Sequence, residues 1–167
     1  MVSSAGSGVG IRRATTADAS AIASVHVRAW QQAYAHLLPA DRLASLDVAG
    51  RAGAWRRVFD EGATDVWVAE SPADSVIGWA STSAGRGANA PRPLELEGIY
   101  VLAETYGSGV GQALLDSAIG ENPAFLWVAA DNSRSHAFYR RNRFLPDGAA
   151  EVYPLLGVDV DVVRLAR

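Results

Sequence analysis

The spacing of hydrophobic positions changes period several times along this chain, and each change predicts an element. Residues 11–14 read as a short strand, after which Thr15, Thr16 and Asp18 offer helix-start chemistry and an acidic first turn, so a helix is predicted from about Ala17. Ile22, Val25, Ala29 and Trp30 recur at helical spacing, and the pattern runs past Tyr34 to Leu37 before Pro39 interrupts it. A second helical segment is expected near Pro39 and Asp41, and a third over residues 51–59 with Trp55, Val58 and Phe59 on its apolar side. From Asp65 the chain turns β-branched and aromatic, predicting an antiparallel hairpin of residues 65–70 and 76–82 around a Ser-Pro-Ala-Asp turn. Residues 84–93 form a Gly/Pro/Asn-rich loop. A strand at 94–101, a helix at 111–119, a buried strand at 125–130 and a helix at 133–141 follow, and strands 151–155 and 159–165 close the chain through Gly157. Hairpins at both ends with a βαβ unit between predict a mixed sheet with helices on its faces.

Composition narrows the possibilities. With 167 residues, 49% of them hydrophobic, one compact domain over residues 11–167 is expected behind a disordered Ser/Gly-rich tail at 1–10. A net charge of −3 argues against nucleic acid, whose phosphates require basic surface. No apolar run suits a membrane span and the N-terminus lacks the pattern of a targeting signal, so a cytoplasmic location is expected. The absence of cysteine removes thiolate metal sites and any cysteine nucleophile for a covalent acyl group. His26, His36 and His136 have no metal-ligand spacing, so no metal is expected.

Two stretches carry candidate chemistry. Gly107, Gly109 and Gly111 open a helix soon after a strand, a pattern that lets backbone N–H groups and the helix dipole approach an anion such as a pyrophosphate. A P-loop would need a lysine, and all fifteen basic residues here are arginine. A Rossmann fingerprint would want glycine where Gln112 stands and a tighter turn, although Asp131 keeps that alternative open. The strand before this loop changes its apolar face at Gly98, because Leu94 and Leu96 share one parity while Ile99 and Val101 share that of Glu95 and Glu97. A β-bulge at Gly98 would explain the change; the lesser alternative is a strand buried on both faces beyond it. In the second stretch Asn132, Ser135, Phe138 and Tyr139 fall near one line of a helix, offering an amide, a hydroxyl and a phenol. On spacing alone core packing is the better reading of Tyr139.

The two blocks together resemble the Gcn5-related N-acetyltransferase (GNAT) superfamily. Its Gln/Arg-x-x-Gly-x-Gly/Ala motif corresponds to Tyr106-Gly-Ser-Gly109-Val-Gly111, and its Asn, Phe-Tyr, Gly-Phe block to Asn132, Phe138-Tyr139 and Arg143-Phe144, with Tyr106 and Arg143 departing from the usual residues. The resemblance implies an α/β (α+β) fold with a mostly antiparallel sheet of six to seven strands, helices on both faces and a β-bulge in the fourth strand. It implies acetyl-CoA as co-substrate and an amine-bearing small molecule or peptide as acceptor, with a homodimer as a further expectation. The pantetheine would run along Ile99, Tyr100 and Val101. The pyrophosphate would meet Tyr106, Gly107, Ser108, Gly109, Val110, Gly111 and Gln112. Asn132, Ser135, Phe138 and Tyr139 would form the far wall, with Arg141 reaching the 3′-phosphate unless it is merely solvated. An attacking amine must lose a proton, so Glu97 or Glu95 is the expected base, unless both simply face solvent or pair with arginines. A bulge-freed N–H at Ile99 or Tyr100 would hold the oxyanion, and Tyr139 would protonate the leaving thiolate. Trp30 and Tyr34 would wall the acceptor, with Glu151, Asp159 or Asp161 favouring a cationic amine. A catalytically silent acyl-CoA-binding module and a Rossmann-like nucleotide binder are the alternatives.

Overall fold

The computed structural model describes residues 8–167, so most of the predicted tail lies outside the described residues. Gly10 belongs to no tail, because it opens the first strand opposite Glu70. The strands are β1 (Gly10–Arg13), β2 (Thr64–Glu70), β3 (Val76–Ala84), β4 (Leu94–Val101), β5 (Ala124–Ala129), β6 (Leu145–Leu155) and β7 (Val158–Ala166). They form one sheet in the order β1-β2-β3-β4-β5-β7-β6. Every neighbouring pair is antiparallel except β4 with β5. The expected mixed, mostly antiparallel class is therefore observed, and the parallel sheet of a Rossmann-like binder is not.

Helix α1 (Ala19–Ala33) starts after a tight turn in which the Asp18 carboxylate accepts the Thr15 amide at 2.8 Å and both Arg12 guanidinium NH groups at 2.8 and 2.9 Å. It stops four residues short of Leu37, because Tyr34 leaves helical geometry and its carbonyl takes the Leu37 and Leu38 amides in a turn. After α2 (Ala40–Ala44), α3 (Val48–Glu61) begins earlier than its apolar period suggests. The Asp47 side chain accepts the Ala49 and Gly50 amides at 3.2 and 2.8 Å, a capping signal that hydrophobic spacing does not carry. Strand β6 likewise starts at Leu145 instead of Glu151. Leu-Pro-Asp-Gly reads as a turn, yet Pro146 pairs with Leu165 and Ala150 with Val163, so the extra residues bulge out of a continuing strand.

Helices cover both sheet faces. On one, Ile22 of α1 and Ala52 and Trp55 of α3 pack on Val66, Val68 and Trp79. On the other, α4 (Val110–Ala118) sets Val110 and Leu114 against Ala69 and Ala80, while α5 (Ser133–Arg141) joins Leu96, Leu115 and Leu126 through Tyr139. Each fully buried large side chain, Ile22 and Phe125 among them, contributes about 1.5–3 kcal/mol.

Two irregularities in β4 position the site. Ser81 pairs with Gly98 and Thr82 with Leu96, which leaves Glu97 as an extra residue. This bulge resolves the parity change, because Leu94, Leu96, Ile99 and Val101 all pack on the α4 and α5 side despite their opposite numbering. In addition, β4 and β5 pair only at Leu94 with Ala124 and Glu95 with Phe125. Beyond that point they diverge, and among the described residues no strand bonds the β4 edge that faces β5.

Candidate active site

A cleft of about 1290 Å³ occupies the divergence, walled by residues 97–101 of β4 and Leu126 to Ala129 of β5. At one end stands the glycine loop. Gly107 and Gly109 adopt φ of 77° and 90°, left-handed values that favour glycine, and a side chain on either would point into open space. Gly109 caps α4 with no side-chain bond, and the first helical bond is from the Ala113 amide to Gly109 at 3.0 Å. The amides of Val110, Gly111 and Gln112 precede that bond, at the positive end of the helix dipole, which suits an anion.

Tyr106, Gly107, Gly109, Gly111 and Gln112 line the cleft, as do Asn132, Ser135, Phe138, Tyr139 and Arg141 of the next block. Ser108 and Val110 do not. The Ser108 hydroxyl donates to the Thr105 carbonyl, and the Val110 side chain enters the core. The Gln112 amide group exchanges hydrogen bonds of 2.8 and 3.0 Å with Asn142, tying α4 to the end of α5. Asn132 caps α5 by accepting the Ser135 amide at 3.2 Å. Tyr139 is both core and wall, 8% exposed and edge-on to Phe138 and Phe144. Burial, then the nearby Tyr34, raises its phenol above the ordinary value, so it stays protonated at neutral pH.

The two carboxylates differ in surroundings. Glu95 has a side chain only 6% exposed, and both its oxygens are held by the Arg86 guanidinium at 2.7 and 3.0 Å, with the Arg86 amide at 3.2 Å. Glu97 has a looser shell, the Ser81 hydroxyl at 3.4 Å and Arg86 at 4.0 Å. Its residue is exposed although its side chain is only 23% accessible, so much of the exposed surface is bulged main chain. Opposite, Trp30 and Tyr34 wall the cleft, and the Tyr34 hydroxyl lies 2.7 Å from that of Tyr100. Burial raises both phenols.

A loop for an anion, a split sheet and a bulged carboxylate form one continuous cleft. The profile of the acetyltransferase (GNAT) family matches residues 22–144. The chain belongs to the GNAT acetyltransferases. It is 33% identical to an "Uncharacterized N-acetyltransferase" of Bacillus subtilis over 94% of this chain and 91% of that one. A "Probable N-acetyltransferase" of Mycobacterium tuberculosis is 28% identical over 96% and 95% of the two chains. The fold matches a GNAT phosphinothricin acetyltransferase of Sinorhizobium meliloti, solved with acetyl-CoA, at a TM-score of 0.69 and 23% identity over 95% of this chain and 87% of that one.

This acetyltransferase also brings to its cleft residues that periodicity does not flag. Arg134 lies in the first turn of α5 with its guanidinium carbon 3.2 Å from the centre of the Tyr106 ring. Arg86 comes from the irregular loop before β4. Neither follows from spacing, since the contact of each depends on how distant segments converge; for Arg134 the faint signal was an aromatic residue standing at a motif position usually polar. Asp159 and Asp161 do not line the cleft, whereas Glu151 does. Among the described residues no helix is long and apolar enough to cross a membrane.

Proposed function

We propose that this acetyltransferase moves an acetyl group from acetyl-CoA straight to an amine, within a single domain that begins at β1, with Glu97 as general base, Tyr139 as general acid and no acyl-enzyme intermediate. The observation that carries the reading is the gap between β4 and β5, bounded by the unpaired β4 edge, the glycine loop and the Tyr139 phenol. The pantetheine arm bonds the main chain at Ile99 and Val101. The pyrophosphate rests on the amides from Gly107 to Gln112, with Asn132, Ser135 and Phe138 as the far wall and Arg141 toward the 3′-phosphate. The acetyl-CoA bound to the similar Sinorhizobium fold supports that donor.

In the reaction Glu97 removes a proton from the ammonium of the acceptor, and the freed nitrogen pair attacks the thioester carbonyl between Trp30 and Tyr34. The carbonyl electrons move to oxygen, where a main-chain N–H at Ile99 or Tyr100 stabilises the charge. On collapse the nitrogen releases its second proton to solvent, the C–S bond breaks and Tyr139 gives its proton to the departing sulfur, to be reprotonated from solvent. The bidentate hold of Arg86 on Glu95 leaves Glu97 the freer carboxylate, which supports its choice as base.

The test combines calorimetric binding of acetyl-CoA with thiol release across a panel of amines. Tyr139→Phe and Glu97→Gln should each lower kcat by about 100-fold, with the acetyl-CoA Kd changed less than about threefold. Full activity in either variant removes that residue from the mechanism, and failure of the wild type to bind acetyl-CoA overturns the reading.

A further inference from the structure

A second cavity, of about 240 Å³, opens beside the cleft between α1, α3 and the bulged part of the sheet. Trp30, Glu97 and Tyr100 border both spaces, so the proposed base stands at the junction. The volume corresponds to about eight water molecules, enough for a small metabolite and too little for a peptide segment.

The lining is rich in donors. Arg51 of α3 is half-buried with its guanidinium carbon 5.7 Å from the centre of the Trp30 ring. Among the described residues no carboxylate lies within ion-pair distance of it, although eight ion pairs occur elsewhere. A half-buried guanidinium stacked on a ring keeps N–H donors free to meet an anion in the cavity. His26 reinforces the pattern. Its Nδ1 accepts from Trp55 Nε1 at 3.3 Å, and burial, with the Arg51 charge, lowers its pKa to about 3. The ring is therefore neutral with its proton on Nε2, which is buried without a partner. Trp79 Nε1 is likewise unpartnered. Among the described residues the only carboxylate on this cavity is Glu97.

We propose that this cavity is the acceptor pocket and selects a small primary amine that also bears a carboxylate, the ammonium meeting Glu97 and the carboxylate pairing with Arg51. A zwitterion of the amino-acid type fits both charges at once. A polyamine would set a second cation against Arg51. The aromatic rings beside the guanidinium lower the local dielectric below that of bulk water, which strengthens the ion pair with Arg51. The inference rests on Glu97 serving as the base, as described under the proposed function.

The decisive experiment measures thiol release from acetyl-CoA with the twenty amino acids, the same compounds as carboxamides, and spermidine. For the preferred amino acid, kcat/KM should exceed that of its carboxamide by at least tenfold. In Arg51→Met this ratio should fall to near one through a higher KM, and Arg51→Lys should restore part of it, with acetyl-CoA calorimetry and thermal melting reporting that each variant is folded. Equal use of acid and amide by the wild type, a preference for spermidine, or an unaltered ratio in Arg51→Met overturns the assignment of this pocket while leaving acetyl transfer intact. Absence of turnover with every amine overturns this inference and the proposed transfer together.

Discussion

Arg134 occupies the first turn of α5, where the helix dipole disfavours a cation. It has no carboxylate partner among the described residues and is held instead against the face of Tyr106. Tyr106 stands where the family motif usually has Gln or Arg, so the pair returns a cation to the glycine loop from a different element. Arg134→Ala should weaken acetyl-CoA binding about tenfold, the scale of one charge-assisted hydrogen bond. Tyr106→Leu should show a smaller loss in the same direction by calorimetry, because the guanidinium keeps its charge but loses its platform. Unchanged affinity in both would show that the pair serves only to pack the loop. The motif position was legible in sequence, whereas its compensation was not, since nothing in the spacing of residues 106 and 134 says that a ring and a guanidinium will meet.

At the scale of elements, the bulge of β4 places Glu97 at the wall of the cleft. Its existence could be read from the parity of Leu96 and Ile99, because a strand has period two and one inserted residue reverses it. Its consequence on the acceptor side depends on space. A Cβ on Gly98 would lie 3.0 Å from the Tyr100 ring and 3.4 Å from Trp79. Tyr100 is packed among His26, Trp30, Tyr34 and Trp79 and cannot easily give way. Gly98→Ala should therefore cost about 1–3 kcal/mol in chemical denaturation and lower kcat/KM for the amine more than affinity for acetyl-CoA. A variant as stable and active as the wild type would mean that the ring moves freely. The end of α5 shows the converse. Arg143 takes a left-handed φ of 67°, and the Arg143 and Phe144 amides bond the Arg140 and Tyr139 carbonyls, so the helix closes as it would with the glycine more usual there.

For the whole molecule the buried His26 sets a dependence of stability on pH. Unfolded, it takes a proton below about 6.5; folded, not until about 3. Between those values the unfolded chain binds more protons, so stability is full above about 6.5 and falls as the pH drops. Asp18, lowered to about 2 by the hydrogen bond from Arg12, adds a loss of the same sign below about 4. Between pH 7.5 and 5 the wild type should lose about 2 kcal/mol of unfolding free energy, a loss that His26→Gln should largely remove even though that variant is less stable at neutral pH. Urea melts at the two pH values decide it, and a flat wild-type profile would exclude a neutral buried His26.

The residues by themselves determined the approximate order of elements, the change of apolar parity at Gly98 and the glycine-rich stretch on which the family resemblance rests, because these follow from local periodicity, backbone preference and motif spacing along the chain. Only the tertiary structure decided that Glu95 is claimed by Arg86, that Arg134 rests on Tyr106 and that Arg51, with no ion-pair partner among the described residues, lines the same cavity as Glu97. Those facts depend on which distant side chains the sheet and helices bring within a few ångströms, and the charge of a pocket is a sum over groups that no single stretch of sequence contains.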